Sequence, residues 1–126
     1  MHAYGWAHLL FNLAWIGPVG VIVERRFGHL RWLILYLVPG VIGEFAGFAW
    51  DPHAAGASLG GSGLLGGLAV WLLVRGQVLS WRVRWWGPFI IVCAAALTLR
   101  HDLHGPPMLA GAGLGVFMLL RSAGPA

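Results

Sequence analysis

An all-α, polytopic transmembrane bundle of five helices is the fold this sequence predicts, and three observations predict it. The chain is 59% hydrophobic and only 10% charged over its 126 residues, with a mean hydropathy of +0.78; a soluble domain carries roughly a quarter charged residues. Its apolar residues fall into five stretches bounded by Arg, Asp, Pro and Gly. The basic residues, all arginine, cluster between alternate stretches. Residues 1–126 read as a single transmembrane domain.

The stretches are 6–23, 32–50, 56–74, 85–99 and 107–120. The first begins abruptly after Met1, with no basic n-region of a cleavable signal peptide before it. It carries His8 and Asn12, which share one face of a helix at that spacing. The second contains Glu44, protonated or paired with a histidine and given no catalytic role. The third opens Gly56-Ala57-Ser58 and repeats small residues at Gly56, Gly60, Gly63 and Gly67. Such spacing lets helix backbones approach closely, which marks this helix as central. The fourth and fifth fall short of the roughly 17 residues a spanning helix needs. They require a thinned bilayer or shielding by neighbours. The fifth carries Gly111 and Gly115 on the same small-residue pattern.

Charge orients the bundle. Arg25, Arg26, Arg31, Arg75, Arg82, Arg84 and Arg121 fall on one side, and Arg100 with Asp51 and Asp102 on the other. Cytoplasmic loops carry the excess of Arg, so the N-terminus is expected outside, the C-terminus inside, and Ser58 near the outer surface. Trp6, Trp50, Trp81, Trp85 and Trp86 fall near the expected interfaces. The arginines form no single patch, so nucleic acid is not an expected partner; the lipid bilayer is. Cys93 stands alone in an apolar run and reads as a small buried hydrophobe. The six histidines show no compact metal-ligand spacing, so neither metal nor cofactor is expected.

Three strings carry chemistry. His8-Leu-Leu-Phe-Asn12 is followed by Glu24-Arg25-Arg26-Phe27-Gly28; Gly56-Ala57-Ser58 is followed by Gly63 and Gly66; Met108 precedes Gly111 and Gly115. In this order and spacing the chain resembles the rhomboid intramembrane serine proteases. Their second helix carries His-x-x-x-Asn and a Glu-x-Arg-x-Gly-like turn, their fourth opens with Gly-x-Ser, and their last has His-x-x-Gly-x-x-x-Gly. The resemblance implies Ser58 as nucleophile and His8, Asn12 and the Ser58 backbone N–H as the oxyanion pocket. It implies structural roles for Glu24, Arg26, Gly63, Gly66, Gly111 and Gly115. Glu24 is expected to pair with Arg25, Arg26 or a backbone donor. Ser62 is the competing serine.

Two departures accompany the resemblance. The chain begins where the family's second helix would, so the first is absent, and a truncated product or mis-started reading frame is one reading of that. Second, the general-base histidine of the last helix is replaced by Met108. A serine hydroxyl needs a neighbouring base, and a thioether is only a weak acceptor. His104, one turn before Met108, is the nearest substitute; its other reading is a solvated loop histidine. Two functions are therefore set against each other. One is a serine protease cutting transmembrane segments near the outer face. The other is an inactive rhomboid-like protein that binds membrane clients. A bacterial cytoplasmic membrane is the expected location.

Overall fold

The structure, a computed structural model, describes residues 2–51 and 56–123, with side chains from residue 5 onward. The described residues contain five long α-helices and one short one, α1 His2–Phe27, α2 His29–Trp50, α3 Ala57–Arg75, the short α4 Trp81–Arg84, α5 Trp86–Leu99 and α6 Gly105–Ser122, with a 3-10 turn at Gly76–Val78. Four runs, Gly5–Phe27, His29–Trp50, Ala57–Val78 and Trp81–Leu99, are long and apolar enough to cross a bilayer. The protein is an integral membrane protein with an all-α, five-helix core.

The two stretches that fall short of a span are both lengthened by residues ahead of them. The run ending at Leu99 begins at Trp81, because α4 adds a turn ahead of α5. That turn carries Arg82 and Arg84, whose long stems let a helix continue while the charge stays at the interface. Helix α6 starts at Gly105, with Pro106 and Pro107 in its first turn, where a missing N–H costs nothing. Both extensions lie in polar or Pro-rich sequence that a hydropathy reading discards.

Helices α1 and α2 are separated by a single residue, Gly28, at φ +92°, in the left-handed region that only glycine occupies freely. The turn brings the His29 ring back onto Glu24, with Nδ1 2.8 Å from Oε1. Glu24 thus pairs with His29 and not with an arginine, and Arg26 lies over the Trp71 ring at 4.5 Å.

Helix α3 is the axis. Buried residues fill 67% of its spanning window, against 17%, 22% and 11% for the other three. Lipid is as apolar as leucine, so helices in a bilayer associate through close packing. The glycines provide it. A Cβ on Gly66 would strike the Met108 carbonyl, one on Gly111 the Gly63 carbonyl, and one on Gly63 the Leu35 carbonyl and Pro39. Gly63 meets Gly111 and Gly67 meets Gly115 at one constant sequence offset, so α3 and α6 run parallel and in register. At the arginine-bearing end Arg31 donates to Ser122 Oγ, tying the start of α2 to the end of α6. Cys93 is half-buried on α5, less enclosed than its apolar run implies.

Candidate active site

At the end opposite the arginine cluster, His8, Phe11, Asn12, Trp15, Ser58, Ser62, Leu65, His104 and Met108 line one cleft of about 390 Å³. Each arrives by a local rule. His8 and Asn12 are i and i+4 on α1 and face the same way. Asn12 is buried, and its Oδ1 accepts from Trp15 Nε1 at 3.3 Å, which leaves its amide N–H groups as the donor side. His8 is the exposed member of the pair.

Ser58 is the second residue of α3, in the turn whose N–H groups have no intrahelical acceptors and where the helix dipole favours negative charge. Just upstream, the Gly56 N–H donates to Glu44 Oε1 at 3.2 Å. Glu44 thus tethers the entry to α3 and does not line the cleft. Ser62, one turn deeper, is buried and donates its hydroxyl to the Ser58 carbonyl at 2.9 Å. That bond commits Ser62 to its own helix. Ser58 is the serine whose hydroxyl meets an imidazole.

The base is His104. Its Nε2 lies 3.2 Å from Ser58 Oγ, and its Nδ1 lies 2.8 Å from Asp102 Oδ1. The expectation that Met108 leaves the site without a general base is therefore wrong. The register explains why. Carrying the Gly63–Gly111 offset back along α3 places Ser58 level with the first turn of α6, between His104 and Met108. A histidine at either position can reach it. Met108 lines the cleft and is buried, with its carbonyl against Gly66. The same finding removes the ground for a non-catalytic reading, which rested on Met108, and for His104 as a merely solvated loop residue.

His104 is the N-cap residue of α6 and is delivered by the turn after Leu99. Asp102 Oδ1 also accepts the His104 backbone N–H at 2.9 Å, the side-chain turn that Asp makes two residues ahead. That backbone bond, foremost, holds the Asp102 carboxyl below its usual value; partial burial opposes it, and the bond to the imidazole and its charge add to the lowering. Asp102 had counted in the sequence only as an outer acidic residue. The signal that could have found it is the Asp-x-His spacing just ahead of a helix.

The cleft thus brings together a hydroxyl on a helix N-terminus, an imidazole hydrogen-bonded to it, and a buried amide. The comparisons with known proteins place the chain in a family. The family model of the rhomboid domain matches residues 1–120. This chain belongs to the rhomboid family. Among rhomboid relatives, it is 45% identical over 65 residues to rhomboid protease GluP of Bacillus subtilis (strain 168), covering 51% of this chain and 13% of that protein. RHOMBOID-like protein 5 of Arabidopsis thaliana is 29% identical over 133 residues, covering 93% of this chain and 41% of that protein. RHOMBOID-like protein 4 of the same plant is 32% identical over 125 residues, covering 93% and 32% respectively. The chain thus spans less than half the length of each of these rhomboid relatives. No solved structure matches it to a comparable standard.

Proposed function

We propose that this protein is an intramembrane serine protease that cleaves transmembrane segments of other membrane proteins near the outer face. The observation that carries the proposal is the 3.2 Å contact between Ser58 Oγ and His104 Nε2, within reach for proton transfer. Ser58 Oγ attacks the peptide carbonyl as its proton passes to His104 Nε2. The tetrahedral oxyanion is met by the His8 and Asn12 side chains and the Ser58 N–H. Each such donor is worth roughly 3 kcal/mol by precedent. His104 then gives the proton to the departing amine, and the acyl group on Ser58 is released by water, which His104 deprotonates in turn. The proposed roles are nucleophile for Ser58, base for His104, oxyanion donors for His8 and Asn12, and structural support for Glu24, Arg26, Gly63, Gly66, Gly111 and Gly115.

Helical peptide bonds are shielded by their own hydrogen bonds, so the favoured substrate carries a helix-destabilising stretch level with Ser58. Positive-inside bias supports an N-terminus outside, a C-terminus inside and the cleft facing outward. The arginine-only basic content supports a bacterial cytoplasmic membrane.

Fluorophosphonate labelling of the purified, folded protein tests the reading. The parent and Ser62→Ala label at comparable rates, Ser58→Ala does not label, and His104→Ala labels at least 100-fold more slowly, the lower end of what a positioned base contributes. A folded parent in which no serine reacts ends the proposal.

A further inference from the structure

We propose that Asp102 is a positioning residue that completes a Ser58–His104–Asp102 triad, holding His104 in the tautomer that accepts the serine proton. This rests on the serine-protease reading and extends it from two residues to three.

One carboxylate oxygen grips His104 twice, through the backbone N–H at 2.9 Å and through Nδ1 at 2.8 Å. A carboxylate only accepts, so the ring contact is a hydrogen bond only when Nδ1 carries the proton. The lone pair of the neutral imidazole is then on Nε2, the atom facing Ser58 Oγ. In the other tautomer two lone pairs would meet at Asp102, and Nε2 would present a proton to the hydroxyl. When the serine proton arrives, the resulting imidazolium already has a negative charge beside it. This is the division of labour in a Ser-His-Asp arrangement.

The carboxylate is itself held. The Asp102 N–H bonds the Leu97 carbonyl at 2.9 Å, and the Gly105 N–H bonds the Asp102 carbonyl at 3.2 Å. Leu103 is buried, and His101, at φ +57°, sets its ring edge-on to Trp50 at 5.0 Å. Gly105 packs so closely on Thr98 that a Cβ would strike its backbone N and Oγ1. A base carried on a turn lacks the rigidity of one inside a helix; these contacts and the double grip of Asp102 supply it. Both side chains are 44% exposed, so water screens the charge and the effect is smaller than for an enclosed triad.

The test compares the parent with Asp102→Asn and Asp102→Ala in detergent. Asn keeps an acceptor for the backbone N–H, so the turn and the melting temperature persist, but the charge is gone. Fluorophosphonate labelling of Ser58 is expected to slow roughly 10- to 100-fold in Asp102→Asn and further in Asp102→Ala. ¹⁵N-histidine spectra should show His104 as the Nδ1–H tautomer in the parent and as a mixture in Asp102→Ala. Labelling of both variants within twofold of the parent, or slowing only in step with lost folded protein, overturns the triad. If the parent itself fails to label, the protease reading falls and the triad with it; if the parent labels and the variants match it, the triad falls alone.

Discussion

His104 reaches Ser58 because it caps α6 while Ser58 lies in the first turn of the parallel α3, and Asp102 reaches His104 because a carboxylate two residues upstream meets its backbone N–H. The depressed Asp102 carboxyl turns this contact into a pH dependence. A group whose folded-state pKa lies below its unfolded value of about 3.8 contributes stability that is complete above that value. The contribution is lost as pH falls through the lower, folded value. The gap in melting temperature between the parent and Asp102→Ala should therefore be constant near neutrality and close as the pH drops below about 3.8. Thermal melts monitored by circular dichroism across that range check it. A gap that widens on acidification contradicts the assigned direction.

Among the helices, the seam between α3 and α6 decides how accurately the site is held. Gly66 and Gly111 each face a backbone carbonyl of the other helix, an atom that cannot move without shifting the helix that carries it. Gly66→Ala and Gly111→Ala should each destabilise the bundle by about 1–3 kcal/mol, the usual range for overpacking. They should also slow Ser58 labelling, because α6 carries His104 at its start. Gly113 has nothing within 4 Å of its would-be Cβ, so Gly113→Ala should be neutral or gain up to about 1 kcal/mol from helix propensity. Urea or thermal unfolding in one detergent separates the three variants. Equal effects at Gly113 and Gly66 would remove the packing argument.

For the molecule as a whole, charge is divided between the two ends of the bundle, and the cleft lies at the end that holds Asp102. Seven arginines mark one end of the bundle, with Arg31 bonded to Ser122 and Arg26 over Trp71. Asp51, Arg100 and Asp102 mark the other. In a Cys93→Ala background, single cysteines at Arg100 and Val78 report this orientation. The first should react with an impermeant maleimide added to intact cells, and the second only after the membrane is opened. The reverse pattern would place the cleft on the inner side and refute outward-facing cleavage.

Hydropathy and glycine spacing were enough to read an all-α membrane bundle with a central third helix, and the rhomboid resemblance implied a shared site for His8, Asn12 and Ser58, which line one cleft. Those signals are local: they record which face of a helix is apolar, which positions admit a backbone, and where charge must stay in water. The partner of Glu24, the tether role of Glu44 and the base were not legible in the same way. A one-dimensional alignment assigns the base to Met108, because it follows the glycine frame of α6 residue by residue. Space offers Ser58 two levels of that helix, and the preceding turn fills the upper one with His104 and steadies it with Asp102. That choice depends on the register of two helices nearly fifty residues apart in sequence and on a turn folding back against Thr98 and Trp50, distances along the chain over which residue spacing carries no geometry.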